Sequence, residues 1–376
     1  MADADRLKLR GLWFQLHKWI GLLLVLLLIP LSLTGSALVW HDWLDEAINP
    51  ARHAVSGKPV TATPAAYAAA ARTALPGGPP ISQLRLEHDG PVIVTAVEKA
   101  ASGPPQRTMV WLDPADGRVL DVADGNDGLV RWLHRFHGSL TIPGVGRQIV
   151  GWLGVAMLLS CVTGLWLWWP AIGSWTRGFR WSSARDFETN LHHQTGFWIA
   201  LPLAMLSFTG VWISFPPFFA ALSGTSAEVR EAARERSQRP RAQPLEQTML
   251  SPDAALAAAT GAYGGKLVSI TWPTDMAPSW RVSLARPDGG TANILVNDST
   301  GEAEAAKDAA AQGGIARLMR RLHDGTGMGV AWQIVIFIGG ILPAVLGVTG
   351  VIMWLRTRGW RGEVARRQGR GAVKSA

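Results

Sequence analysis

The sequence predicts an integral membrane α-helical protein: four transmembrane helices in a duplicated helix–module–helix unit, with two outward α+β modules between the spans. Three observations predict it. The windows 19–40, 149–170, 197–219 and 331–355 contain no charged side chain, and about 20 apolar residues cross ~30 Å of hydrocarbon at ~1.5 Å per residue. The motifs flanking the first two windows recur around the last two. Clusters of arginine and lysine fall in the short flanks on one side of the windows.

Taken in order, residues 1–40 supply the N-terminus and first span, and 41–146 a module with a helix before the next span. Residues 147–170 form the second span, 171–191 a loop and 192–219 the third span. A second module and pre-span helix follow at 220–330, then the fourth span at 331–355 and a basic tail at 356–376. The chain is 48% hydrophobic with a positive mean hydropathy, too apolar for an ordinary soluble protein. Pro30, Pro202 and Pro343 lie inside spans, where neighbouring helices tolerate them, and tryptophans such as Trp19, Trp40, Trp152, Trp168, Trp169 and Trp354 crowd the span ends as an interfacial belt. The first window is long and lacks a small-residue cleavage site, so it reads as an uncleaved anchor.

Orientation follows from Arg6, Lys8, Arg10 and Lys18, from Arg177, Arg180 and Arg185, and from Arg356, Arg358, Arg361, Arg366, Arg367, Arg370 and Lys374. All three clusters share one side in a four-span path, and the positive-inside rule makes that side cytoplasmic. The net charge of +8 is thus topogenic, a matter of the lipid bilayer and not of nucleic acid. Cys161 is the only cysteine, which excludes a disulfide, a thiolate zinc site or an iron–sulfur cluster within one chain.

Each outward segment reads as a helix followed by an antiparallel sheet of modest core. In the first, Thr63 caps a helix at 64–75, strands follow at 81–87, 91–98 and 107–112, and a turn at Asp113 to Gly117 leads to a last short strand. In the second, a helix near 252–260 precedes strands near 266–272, 279–285 and 291–297 and a turn at Asn297 to Gly301. Residues 225–245 read as a solvated helix or linker.

The repeat carries the chemistry. His17 opens the first span and Gly35, in Thr34-Gly35, follows 18 residues later; His192 and Gly210, in Thr209-Gly210, repeat that spacing in the third. His137 precedes the second span and Val162-Thr163-Gly164 begins 25 residues on; His323 and Val348-Thr349-Gly350 repeat that in the fourth. Between these anchors the alignment needs a one-residue gap each way. His17 and His192 thus fall at the cytoplasmic ends of their spans, and His137 and His323 at the outer ends. Two pairs of neutral imidazoles from facing helices suit the axial positions of b-type haem. The Thr-Gly steps offer close backbone approach to a flat macrocycle. Covalent attachment is excluded, since no Cys-x-x-Cys-His is present. Arg131, Arg135, Arg320 and Arg321 flank the outer pair and suit either haem propionates or lipid phosphate. His193 and His134 are alternates within the pairs, and His41, whose repeat counterpart is Pro216, is a further candidate. His53 and His88 read as ordinary surface residues. Zinc is the rival for the cytoplasmic group His17, His192 and His193.

With these motifs, over roughly residues 10–360, the chain resembles the PepSY-associated transmembrane family, often called iron-regulated membrane proteins. The second outward segment looks like a PepSY module and the first is a looser match. The resemblance implies a di-haem reductase of the Gram-negative inner membrane that passes electrons to a ferric siderophore, or another periplasmic metal chelate, and releases Fe(II). It implies two haem b groups with His17, His192, His137 and His323 as axial ligands. No strand-linked Gly-x-Gly-x-x-Gly occurs, so a cytoplasmic or membrane electron donor is expected. Two other readings stand beside it. One is a membrane-anchored PepSY module that binds peptides or restrains a peptidase without haem. The other is a metal or siderophore transporter, against which stand the parallel repeats and the lack of acidic or lysine side chains in the spans.

Overall fold

The structure is a computed structural model. It describes residues 2–57, 60–98, 105–172, 176, 180–182, 185–222, 227, 231, 242–287, 290–306 and 314–374. The chain divides into a helical unit (Met1–His41, Trp132–Val229, Gly314–Ala376) and a sheet unit (Asp42–Arg131, Arg230–Gly313). Arg177 and most of 225–245, read above as topogenic and as a linker, lie outside the described residues.

Four helices of the helical unit are long and apolar enough to cross a membrane. They are α1 (Ala2–Val39), α5 (Gly146–Ile172), α6 (Phe187–Ser214) and α10 (Val330–Lys374). They form a ring in which α1 and α6 each pack on both α5 and α10. Leu24, Met157, Cys161, Ile199 and Leu203 fill its interior, while Leu23, Leu26 and Leu201 are about four-fifths exposed. A helix apolar inside and out belongs in lipid. This is a membrane protein. The α1–α10 contact uses small residues, as membrane helix pairs do: Gly347 lies against Val25 and Ile29, and Ser36 Oγ donates to the Phe337 carbonyl at 2.7 Å.

Pro30, Pro202 and Pro343 all sit inside these helices. The third span begins before its apolar window and ends five residues short of the window's end, at Ser214. Pro216 bars the preceding residue from helical geometry and has no N–H to continue the ladder, so Phe215 leaves the helix at φ −117°, ψ 58°. A separate short helix, α7 (Pro216–Leu222), begins there. The fourth helix instead runs on through the basic tail to Lys374. Two short helices precede the even spans, α4 (Leu129–Ser139) and α9 (Gly314–Asp324).

In the sheet unit, α2 (His41–Ile48) and a 3-10 turn (Pro50–His53) lead to α3 (Pro64–Ala74). Thr63 caps α3 by accepting from the Ala66 N–H, as the sequence predicts. Then follow β1 (Ile81–Leu86), β2 (Val92–Glu98), β3 (Gln106–Leu112) and β4 (Val119–Asp124). The second half repeats this with α8 (Pro252–Tyr263), β5 (Lys266–Thr271), β6 (Ser279–Ala285), β7 (Thr291–Asn297) and β8 (Ala303–Ala305). The two expected modules are halves of one eight-stranded antiparallel sheet, ordered β4-β3-β2-β1-β5-β6-β7-β8. The seam pairs Leu84 with Ile270. Because both are fully buried beside Tyr67, Trp280 and Val282, the halves share one core. The Asp253 carboxylate accepts from the Ala65 N–H at 2.8 Å, tying α8 to α3 under that core.

Each half also fastens its entering chain with a buried acid from its hairpin turn. Asp113 accepts from Ser56 N–H and Oγ, both at 2.9 Å, and from the Ala115 N–H at 3.0 Å. Asp298 accepts from the Met249 and Leu250 N–H groups at 2.8 and 3.1 Å and from Trp280 Nε1 at 2.7 Å. The Ala115 N–H, together with Ser56 and Arg118, holds the Asp113 carboxyl below the ordinary carboxylate range against the opposing pull of burial. A depressed folded pKa contributes stability that is present above about pH 3.9 and is lost as pH falls through the lower folded value. Asp113→Ala is expected to destabilise the sheet unit by about 1–3 kcal/mol at neutral pH, the cost of stranding buried donors. Thermal melts of wild type between pH 5 and 2 should show an acid-dependent loss that the variant lacks.

Candidate functional site

Four histidines of the helical unit are seated in one repeated way. His17 on α1 donates from Nδ1 to Thr163 Oγ1 at 3.0 Å, and His192 on α6 donates to Thr349 Oγ1 at 2.9 Å. His323 on α9 donates to the Leu206 carbonyl at 3.1 Å and Thr209 Oγ1 at 3.0 Å. His137 on α4 donates to the Leu31 carbonyl at 2.9 Å. Leu31, Ser160, Leu206 and Leu346 each stand three residues before the threonine of a Thr-Gly step, and the backbone oxygens of Ser160 and Leu346 also face His17 and His192.

Carbonyls and threonines together fix the tautomer. Thr163, Thr209 and Thr349 already donate their hydroxyl protons to the carbonyls of Leu159, Met205 and Val345 at 2.9, 2.9 and 2.7 Å. The Leu31, Ser160, Leu206 and Leu346 carbonyls can only accept, so the facing Nδ1 carries the hydrogen, the threonine hydroxyls take the accepting role beside them, and Nε2 keeps the lone pair. No described residue hydrogen-bonds the Nε2 of any of the four. This is how a protein orients a histidine whose other nitrogen binds a metal.

Glycine makes the seat. A methyl built on Gly35 would lie 2.6 Å from His137 Cε1; the corresponding approaches are 3.0 Å for Gly164 to His17, 3.2 Å for Gly210 to His323 and 3.5 Å for Gly350 to His192. The Thr-Gly steps therefore admit the imidazoles themselves, on the side where the sequence suggested a macrocycle. The seats are exchanged between helices: α5 and α10 hold His17 and His192, whereas α1 and α6 hold His137 and His323.

The exchange brings both predicted pairs together. The ring centres of His17 and His192 are 6.4 Å apart and those of His137 and His323 are 6.1 Å apart. Two imidazoles trans on one metal, with bonds of about 2.0–2.1 Å and about 1.1 Å from nitrogen to ring centre, put the centres roughly 6.3 Å apart. The residues present fit axial ligation. Burial pushes the His323 imidazole down to about 4, and burial lowers His137 as well, so both α4 and α9 present the neutral form. The two sites lie at opposite ends of the ring, because the 18 residues from His17 to Gly35 span about 27 Å of helix.

A cavity of about 690 Å³ opens at the His17–His192 pair, its lining mostly apolar but including Arg10, Lys18 and Arg358. Trp168 forms part of the wall, stacked on Phe197 at 4.4 Å. Its Nε1 is buried and is the one such side-chain atom, among the described residues, without a protein hydrogen-bond partner. An unanswered buried donor beside a cavity of ligand size points to an acceptor on whatever fills it. Sequence reading missed these four residues: the cations were absorbed into the topology signal and Trp168 into the aromatic belt.

The other predicted residues fall elsewhere. His193 also lines the cavity, 3.4 Å from Arg185 Nη1. His134 and His41 do not substitute within a pair but meet each other, with ring centres 5.8 Å apart. Arg320 is close enough to His323 to act on its charge, and Arg321 donates to the Thr326 and Gly327 carbonyls of its own loop at 3.2 and 2.8 Å. The Arg135 carbonyl accepts from Ser139 Oγ, and Arg131 belongs to the sheet unit. Among the described residues no three His, Cys, Asp or Glu side chains gather around a point, so the tetrahedral set that structural zinc prefers is not assembled at His17, His192 and His193.

No curated protein matches the chain. The family model described as "PepSY-associated TM region" matches residues 14–357. Matched over nearly its whole length, with its four spans, its sheet unit and its repeated histidine seats, the chain belongs to the PepSY-associated TM region family.

Proposed function

We propose that this protein is an inner-membrane electron relay that binds two b-type haems and reduces a ferric siderophore, or a comparable metal chelate, on the periplasmic side. The observation that carries the reading is two histidine pairs at opposite ends of the ring, each imidazole held through Nδ1, with ring centres at 6.1 and 6.4 Å. Haem, when bound, supplies one-electron redox chemistry at each site. The chain's own work is to hold and orient: His17 and His192 at the cytoplasmic end, His137 and His323 at the outer end. Arg10, Lys18 and Arg358 suit propionate carboxylates at the first site, and Trp168 Nε1 suits an acceptor there. In this orientation the sheet unit is periplasmic, and a separate cytoplasmic or membrane donor supplies electrons. Removing an electron-deficient hard centre from oxygen donors by reduction fits the ligand preferences of iron.

The test is direct. Detergent-purified protein, reduced with one equivalent of dithionite per haem and freed of excess, is mixed anaerobically with a ferric hydroxamate and a chromogenic Fe(II) trap. Reoxidation of the protein with stoichiometric Fe(II) is expected. Protein that stays reduced in the presence of the chelate overturns the reductase reading.

A further inference from the structure

We propose that His41 and His134 form a separate divalent transition-metal site, at the end of the helical unit that holds the His137–His323 pair, and that it receives the Fe(II) leaving the reduced chelate. The second clause rests on the reductase reading; the metal site does not. The two rings meet edge to face, 5.8 Å between centres. With the bond lengths used above, two imidazoles on one ion have centres roughly 4.5 Å apart when cis and 6.3 Å when trans, so an ion bridges them with side-chain rotation alone. The His41 Nδ1–H donates to the Leu38 carbonyl at 3.0 Å, which makes Nε2 the nitrogen with the lone pair. Both residues are exposed, so water completes the coordination shell and the ion can leave.

The duplication supplies an independent observation. Four histidines are matched between the halves, but the positions equivalent to His41 and His134 are Pro216 and Arg320. The second half holds α9 against α6 without either imidazole, so the fold does not require them. Yet two departures from the repeat, 93 residues apart in sequence, touch in space. Paired additions that the repeat does not call for, and that meet each other, point to a shared ligand.

Position gives the site its use. His134 lies one helical turn before His137 on α4, so an ion held there is next to the outer pair without sharing its ligands. In the step served, the ferric chelate would take one electron from the haem that His137 and His323 would hold; Fe(III) would become Fe(II) against a one-electron oxidation of that group, and the chelate would keep its oxygen donors. Fe(II) prefers imidazole nitrogen more than Fe(III) in a hard-oxygen cage does. Two imidazoles give a weak, transient site, as handing over a metal requires.

The experiment is isothermal titration of the full-length, tag-free protein with Ni(II), on wild type, His41→Ala, His134→Ala and His134→Arg, the last placing the residue that the repeat itself uses. Haem content is measured on the same samples. One Ni(II) site in wild type, weakened at least tenfold in all three variants with haem content unchanged, is expected. Equal Ni(II) affinity in the variants overturns the site, and loss of haem from the variants overturns it in favour of axial ligation. A haem-free wild type that still binds Ni(II) through these residues keeps the site and overturns the Fe(II) assignment.

Discussion

Gly35→Ala is expected to empty the His137–His323 site of its haem while leaving the His17–His192 site loaded. The added methyl would stand 2.6 Å from His137 Cε1 and 3.0 Å from its Nδ1, inside van der Waals contact, and His137 is held there by its bond to the Leu31 carbonyl. The ring must swing away from its place beside His323. A displacement of this size at a metal ligand costs about 10–100-fold in affinity or more. The same substitution at Gly164, Gly210 and Gly350 meets its histidine at 3.0, 3.2 and 3.5 Å, so the damage should fall in that order, with Gly350→Ala close to wild type. Haem stoichiometry after purification and the rate of haem transfer to apomyoglobin read the series. An order unrelated to these distances would show that the glycines serve something other than the imidazoles.

The second large effect concerns the sheet. Leu84→Ala, at the seam between β1 and β5, is expected to loosen both halves of the sheet unit together. Leu84 is fully buried opposite Ile270, and truncating such a residue costs about 2–5 kcal/mol in transfer and cavity terms. With one core, that loss is felt on both sides of the seam. Hydrogen exchange of the full chain in detergent should show protection falling by similar factors in β2–β3 and in β6–β7. If protection falls only in β2 and β3, the halves are two modules that merely touch.

What could be read from the sequence, and what could not, divides along physical lines. The spans follow from charge-free length, and α3, α8 and most strands follow from local capping and alternation around residues such as Thr63 and Trp280. The histidine pairs were legible because duplication repeats a spacing, and parallel repeats must place His17 with His192 and His137 with His323. The seats were not legible. His17 and Gly35 recur at a fixed distance along one helix, but His17 sits over Gly164 on another, and no local pattern encodes that exchange. The joining of β1 to β5 is equally non-local: each half carries enough apolar residues to look like a small core of its own. The early end of α6 was in plain sight at Pro216-Pro217, masked by the apolarity of the residues around it. The meeting of His41 with His134 joins positions that each look incidental alone.

The central claim, two haems held by two histidine pairs, is tested most directly by counting them. Reduced-minus-oxidised spectra and pyridine haemochrome assays should be run on full-length wild type, His17→Ala and His323→Ala from haem-replete cells. Two b-type haems per chain are expected in wild type and one in each variant, with the remaining band differing between the two. A colourless wild type, or two variants that lose the same band, would contradict the two-site relay, and the colourless result would leave the sheet unit, anchored by its helices, as the functional part of the protein.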